Sequence, residues 1–536
     1  MKTGISKVGP YIILGMSLLL VVFLNIFCHD HWLDSDMAAE MLFSKLLARD
    51  GHLFATPDWY YSTEFRFLYT HWIMGPLFRI CENWHVIRAI TNIVSYGLML
   101  GAYYYCMKPL KVRKGLVITT SAILILPFSE TMMTHMVMGN TYMFHVMIVF
   151  LFFGLYLRLA GGGRGRLFGV ELGLFLALAL VCGVSGVRYL LALQCPLVLA
   201  AFVFLLKSEE FKAFRQNTTG TNLVAEYKKL RKCIPMRYLL YGVLGAVGSV
   251  AGYGINVLYV SKNYVFQTYD ATNFIAVYQG VFLERLQNAL GSLLMLFGYI
   301  PDRGVLSLRG LVTVAAFVLI GVLGFVCVKV YKRSQGKRQF VSLFLVVSFV
   351  LNLFVFVFTT STMVPRYYIT IFIFVLPLLC FYMEQEKWYF DRTVVTLLLA
   401  GCLLLATGKT VMSYMTVDKN EDKRVVAEFL KENHYNFGYA TYWNANIITE
   451  LTNGQVEVAN VSDGSYLEYF KWSSPMKYYE AGYADGEVFL LLTAEEAAQA
   501  AEGAAVQNGK VVYEDGAYTV LVYDSTEALM GLAERR

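Results

Sequence analysis

Long apolar runs alternate with short charged breaks along most of the chain. The first run, residues 11–28, ends in Cys28-His29-Asp30-His31-Trp32. Others begin near Val86, Leu116, Thr141, Leu167, Leu190, Tyr238, Leu311, Val341, Tyr367 and Val394. A helix needs about 20 mainly apolar residues to cross the hydrocarbon core, fewer where protein shields its ends. The pattern predicts about eleven spans and a polytopic α-helical membrane protein. Basic clusters punctuate alternate breaks: Lys108, Lys111, Arg113 and Lys114; Arg158, Arg164 and Arg166; the stretch 207–237; and Lys329, Lys332, Arg333, Lys337 and Arg338. Basic loops stay on the cytoplasmic side. The N-terminus is therefore expected inside and, after an odd number of spans, the tail outside.

Two stretches depart from this rhythm. In the loop 29–85, Met37, Ala38, Met41, Leu42, Leu46 and Leu47 recur at helical spacing, with Glu40, Ser44, Lys45 and Arg49 on other faces. That pattern suits a helix lying in the interface plane. Residues 68–80, interrupted by Gly75-Pro76, suit a second, partly embedded helix. Between them lies the aromatic turn Thr56-Pro57-Asp58-Trp59-Tyr60-Tyr61. From Asp418 onward no run could span a bilayer. Val425, Val426, Phe429 and Leu430 mark an amphipathic helix, residues 439–443, 456–461, 488–492 and 518–523 read as strands, and 493–502 reads as a helix. The expected division is a membrane domain over 1–417, its first outer loop carrying interfacial helices, and a small extracytoplasmic α/β domain over 418–536.

Composition sharpens this picture. With 57% hydrophobic and 16% charged residues the chain is not a soluble enzyme. Its formal charge of +6 resides in the topology-setting clusters, so it does not point to nucleic acid. The nine cysteines lie mostly in apolar runs without a CxxC, and read as core residues rather than metal ligands. Lys2 and Lys7 precede the first run as in a signal peptide, but no small-residue cleavage site follows, so it is expected to be a retained span. The turn Gly161-Gly162-Gly163-Arg164-Gly165 lacks the pattern of a phosphate loop. A cysteine-free tail and short hydrophilic loops suggest a bacterial plasma-membrane protein.

The candidate chemistry gathers at one predicted membrane surface. Asp34 and Asp36 follow the first span, and Glu130, with His135 nearby, follows the third. Arg188 lies between the fifth and sixth spans, Glu284 and Arg285 in the long loop after the seventh, and Arg366 before the tenth. Charges beside lipid are costly and normally face a watery cavity, a partner or a substrate. A carboxylate there can take a proton from an attacking hydroxyl, and arginines can hold a departing phosphate with forked hydrogen bonds. Trp59, Tyr60 and Tyr61 could stack a sugar ring or an isoprenoid chain. Each residue has a plainer role open to it. Asp34 and Asp36 suit a helix N-terminus, the arginines could snorkel from span ends, and the aromatics could form an ordinary interfacial belt.

With these residues in place the chain resembles the GT-C integral-membrane glycosyltransferases, which include protein O-mannosyltransferases and the aminoarabinose transferases of lipid A. The resemblance rests on one span followed by the acidic Asp34-Ser35-Asp36 motif in a long first loop, then an acid in the next outer loop. Gly75-Pro76-Leu77-Phe78 followed by Val86-Ile87-Arg88, and Pro365-Arg366-Tyr367 before an apolar run, add to it. It covers roughly the first four hundred residues, in architecture more than identity. It implies transfer of a sugar from a polyprenyl-phosphate donor to an envelope glycan, lipid or protein acceptor on the non-cytoplasmic side, often with inversion. The family's first-loop acid maps to Asp36 or Asp34 and its second-loop acid to Glu130. Many relatives carry an acidic dipeptide where this chain has Asp-Ser-Asp, which leaves open which aspartate is the base. A pyrophosphate leaving group would favour a divalent cation, Mg or Mn, on Asp36 and Glu130, whereas a monophosphate could be managed by Arg366, Arg285 and Arg188. The competing reading is a transporter or lipid-glycan flippase with an outer sensor domain. Transporters keep charges near the bilayer midplane, and here the candidates fall at span ends.

Overall fold

The computed structural model describes residues 2–139, 142–162, 167–217, 222–268, 272–276 and 280–534. Residues 163–165 of the glycine-rich turn, with Arg166, lie outside them. Among the described residues, seven helices are long and apolar enough to cross a membrane: Val8–Phe27, Trp84–Leu110, Tyr142–Ala160, Ile234–Asn263, Leu308–Arg333, Gly336–Phe358 and Tyr389–Glu432. Three further apolar segments are bent helix pairs, Lys114–Ile125 with Glu130–Val137 (96°), Leu190–Leu206 with Glu209–Asn217 (58°) and Pro365–Phe372 with Val375–Gln385 (41°). Phe168–Val184 is apolar but shorter. Every expected apolar run is thus helical. The break at Pro127 follows from chemistry, since proline lacks the N–H that would continue the ladder.

The chain forms two compact units, each assembled from separate stretches. Unit one comprises Met1–Val22, Val94–Leu258 and Asp270–Ser413; unit two comprises Phe23–Ile93, Tyr259–Tyr269 and Tyr414–Arg536. In unit one, the helices Phe168–Val184 and Ile234–Ile255 pack backbone to backbone. A Cβ on Gly183 would lie 1.8 Å from the carbonyl oxygen of Ser249, and one on Gly252 would lie 2.2 Å from that of Leu180. Without a hydrophobic drive between helices in lipid, such close approach of small residues supplies the packing. Beside them Phe153, Tyr156, Tyr238, Phe340, Phe344 and Phe374 form a continuous aromatic core.

Unit two joins the first loop to the tail. Two short parallel strands, β1 (Tyr60–Tyr61) and β2 (Val265–Phe266), pair in register Tyr60 to Val265. The tail holds a five-stranded sheet of β3 (Phe437–Thr441), β4 (Glu457–Val461), β5 (Val488–Thr493), β6 (Lys510–Glu514) and β7 (Tyr518–Tyr523), in the order β4-β3-β5-β7-β6. β3, β4 and β5 are parallel, while β7 runs antiparallel to both β5 and β6. Alternation along the strands builds two cores. Ala440, Phe489, Leu491, Val520 and Val522 meet the helices Glu421–Glu432 and Tyr442–Leu451 on one face; Tyr439, Leu490, Leu492 and Leu521 meet Ala505 and Leu529 on the other. A sheet covered on both faces needs apolar residues at every strand position, and β3 is buried throughout.

Three expectations change. Glu284 and Arg285, expected in a loop, lie in the first turns of the helix Val281–Leu296. The strand expected over 439–443 ends at Thr441, and Tyr442 and Trp443 open a helix, Tyr442–Leu451. Its Ile447, Ile448 and Thr449 favour strands locally, and burial of Ala445 and Ile448 against the sheet overrides that preference. Third, β6 completes the sheet, its alternation too weak to read.

Candidate functional site

The acidic motif sits at the start of the helix Ser35–Asp50. Asp34 is its N-cap, with extended backbone and a side-chain oxygen that accepts from the Met37 N–H at 2.8 Å. A cap carboxylate both satisfies a free amide and faces the positive end of the helix dipole. Gly51 ends the helix in the left-handed region, φ +73°, where a side chain would be strained. Ser35 points into the protein and is fully buried, whereas Asp34 and Asp36 are half-buried. Asp36 Oδ1 accepts a hydrogen bond from the Tyr442 hydroxyl at 2.6 Å. Burial, followed by the Asp36 carboxylate, pushes the Tyr442 phenol well above its usual range, so it remains a donor. The Tyr442 ring is stacked on Trp472 at 5.1 Å and 7°.

One helical turn beyond Asp36, on the same face, lies Glu40. Expected on a polar face, it is buried, as is Ser44. Its Oε1 accepts from Arg66 Nη1 at 3.0 Å and from the Tyr69 hydroxyl at 2.7 Å, and its Oε2 from the Thr70 hydroxyl at 3.2 Å. Burial outweighs these donors and pushes the Glu40 carboxyl up to about 7. Beneath the motif, Arg88 donates from Nη2 to the Met37 carbonyl at 2.8 Å and from Nε and Nη2 to both oxygens of Glu450. Helices from the first loop, the second span and the tail are thereby pinned around Asp34 and Asp36. Neither Glu40, Arg66 nor Glu450 stood out in the sequence. The only signal available was spacing, Glu40 four residues after Asp36 and so on its face.

The aromatic turn divides into core and edge. Trp59 and Tyr61 are 4% and 5% exposed. Both pack on Phe43, Tyr61 also against Phe65, Tyr264 and Phe266, and its hydroxyl bonds the Thr56 carbonyl at 3.0 Å. Tyr60 is half-buried and exchanges backbone hydrogen bonds with Ser473 and Ser474.

Unit one brings a second set of predicted residues together. Arg188 donates to the Tyr142 hydroxyl at 3.0 Å and lies over the rings of Tyr142 and Tyr367, 5.4 and 5.8 Å from their centres. Arg366 lies 6.0 Å from the same Tyr367 ring. His135, in the wide turn Met133–Val137, meets the Tyr142 ring edge-on at 5.5 Å. His135, Arg188 and Arg366 thus share one aromatic frame of Tyr142 and Tyr367. Arg285 serves differently. Its guanidinium donates to the Ser361 and Thr360 carbonyls at 2.9 and 3.2 Å, bracing the loop that leads into Arg366. Glu130 is exposed at the head of a short turn capped by Ser129, and Lys409 of the last apolar helix lies close enough to attract it. Lys409 is a residue that its place inside an apolar run concealed.

Among the described residues, His29, Asp30 and His85 are a group of side chains able to share a metal ion, their ligand atoms all within 4.8 Å of one another.

No family model and no curated protein matches the sequence. Solved structures do resemble it. ArnT from Cupriavidus metallidurans in the apo state aligns over 99% of this chain and 100% of its own, with TM-score 0.55 and 11% identity. The same protein bound to undecaprenyl phosphate aligns over the same shares with TM-score 0.53 and 13% identity. The archaeal oligosaccharyltransferase AglB from Archaeoglobus fulgidus, in complex with an inhibitory peptide and a dolichol-phosphate, aligns over 92% of this chain and 70% of its own, with TM-score 0.48 and 11% identity. The chain shares its overall fold with ArnT, and carries a small C-terminal sheet domain.

Proposed function

We propose that this chain is a membrane glycosyltransferase that moves a sugar from a polyprenyl-phosphate donor to an acceptor hydroxyl or amine on the outer face of the membrane, with Asp36 as general base. The observation that carries this reading is the setting of Asp36. It is a half-buried carboxylate at a helix start, oriented by the Tyr442 hydroxyl at 2.6 Å, with its neighbour Asp34 already committed to capping. That division of labour favours Asp36 over Asp34 as the base. The ArnT fold, seen in one ArnT structure with undecaprenyl phosphate bound, supports the donor class.

In the proposed step the acceptor attacks the anomeric carbon on the face opposite the phosphate. A new acceptor–carbon bond forms as the carbon–oxygen bond to phosphate breaks, which inverts the centre. The acceptor proton passes to Asp36, and the bonding pair leaves with the phosphate. Arg188 and Arg366, framed by Tyr367, are the proposed clamp for that dianion, and Arg285 is proposed to hold the clamp's loop in place. Glu130 is proposed to position the substrates. Tyr60 and His135 are the proposed sugar contacts, with Trp59 and Tyr61 fixing the turn beneath.

The test is binding and turnover by the full chain in lipid nanodiscs. Undecaprenyl phosphate should bind the purified chain in native mass spectrometry while undecaprenol should not. Release of sugar from an undecaprenyl-phosphate-linked donor pool should disappear in Asp36→Asn. Equal binding of phosphate and alcohol, or near-normal turnover by Asp36→Asn, would overturn the reading.

A further inference from the structure

Five residues before Asp34, where the first apolar helix ends, lies a group that the proposed transfer chemistry does not use. His29 is 2% exposed, and neither of its ring nitrogens has a hydrogen-bond partner; the approach of Nδ1 to Asp30 Oδ1, 3.5 Å, is too long for a good one. A buried imidazole with both nitrogens idle costs free energy unless something satisfies it. His85, at the start of the helix Trp84–Met107, supplies the second observation. Its Nε2 lies 3.0 Å from the Ile26 carbonyl, which only accepts, so Nε2 carries a proton. In the neutral ring Nδ1 is then a lone pair, and it faces Asp30 Oδ1 at 3.0 Å. At that distance the pair is joined either by a second proton on the ring, which Asp30 favours, or by a metal ion, and only the metal ion would also engage the idle nitrogens of His29. A ring nitrogen held by a backbone carbonyl while the other points inward is also how metal-binding histidines are oriented.

We propose that His29, Asp30 and His85 form a transition-metal site, with Zn2+ as the fitting ion, that clasps the end of the first span to the start of the second. Two imidazoles and one carboxylate are a borderline-soft donor set, suited to Zn2+ and poorly suited to Mg2+ or Ca2+. Two ligands on a tetrahedral zinc are roughly 3.3 Å apart at ordinary bond lengths. Contacts of 3.0 and 3.5 Å, with every donor inside 4.8 Å, need only small side-chain movements to meet that. Asp30 and His85 are 39% and 32% exposed, which leaves an entry path and room for water as a fourth ligand. Arg88, whose positive charge acts on His29, is paired with Glu450. Closing the 29–85 loop in this way would restrict it most where it emerges from the membrane. Asn420 Nδ2, bonded to the carbonyls of Asp30 and Leu33, carries that restraint toward Asp34.

The experiment uses the full chain in detergent without a polyhistidine tag. Zinc content is read by inductively coupled plasma mass spectrometry after dialysis, affinity by competition with a chromogenic chelator, and ligand geometry by the visible absorption of Co2+. Wild type should hold about one equivalent of Zn2+ and melt higher with zinc than after EDTA. Asp30→Asn and His85→Gln should each weaken binding by at least ~10-fold while eluting as folded protein, and His135→Gln should bind as wild type does. Absence of zinc in wild type, or affinity unchanged in both variants, would overturn the site and leave His85 and Asp30 as a simple ion pair. His29→Gln is avoided because its burial invites misfolding.

Discussion

Arg88 and Glu450, 362 residues apart in sequence, form a two-pronged ion pair in the interior of unit two, with Nε at 2.8 Å and Nη2 at 2.7 Å from the two carboxylate oxygens. Both side chains are almost fully buried. The pair ties the second span to the tail helix that also carries Tyr442, and Arg88 reaches the Met37 carbonyl inside the first-loop helix. One guanidinium therefore registers three stretches of chain around Asp34 and Asp36.

Removing one member of that pair strands a buried charge. Glu450→Gln is expected to destabilise the protein by about 3–5 kcal/mol, whereas the double change Arg88→Met, Glu450→Leu should recover most of the loss. Thermal unfolding in detergent checks both. A single variant that melts like wild type would mean the pair contributes nothing to stability.

Tyr442→Phe removes one hydroxyl and leaves the stacking on Trp472. A hydrogen bond to a charged group is typically worth about 1.5–3 kcal/mol. If it orients Asp36 for proton transfer, kcat should fall roughly 10-fold or more with KM little changed. Asp36→Asn, which removes the base itself, should lower kcat by at least ~100-fold with folding intact. Steady-state kinetics on the two variants separate the roles, and a KM effect alone in Tyr442→Phe would make that tyrosine a binding residue.

Glu40 gives a pH signature. Its folded pKa is raised from the ordinary value to about 7. A group that binds its proton more tightly when folded contributes stability below the unfolded pKa and loses it as pH rises through the folded one. The unfolding temperature should therefore decline between about pH 4.5 and 7, and Glu40→Gln, a permanent neutral, should flatten that decline. An identical pH profile in the variant would show that Glu40 is not the titrating group.

Arg366→Ala should raise the apparent KM for the lipid donor with a smaller effect on the acceptor, because a phosphate clamp acts on the donor's charge. Arg285→Ala, acting through the loop at Thr360 and Ser361, should show the same pattern more weakly. Donor titrations at fixed acceptor measure both. An Arg366→Ala variant with unchanged donor KM would remove it from the clamp.

The apolar runs by themselves determined the helical membrane architecture, because a span must satisfy its own backbone and its length is set by the bilayer. They also placed the acidic motif at a helix start, where Asp34 does cap. Period-two alternation located four of the five strands of the tail sheet. What the linear chain could not carry was partnership. Glu40 looked like a surface acid because nothing near it in sequence shows that Arg66, Tyr69 and Thr70 close over it. Tyr442 read as a strand residue because local β-preference was outweighed by burial of its helix against the sheet. Trp59, Tyr60 and Tyr61 looked alike until packing on Phe43 made two of them core and left Tyr60 at the edge. Hydrophobic pattern acts through short-range periodicity and survives in the sequence; ion pairs, hydrogen bonds and desolvation depend on groups hundreds of residues apart, and only the folded chain brings those together.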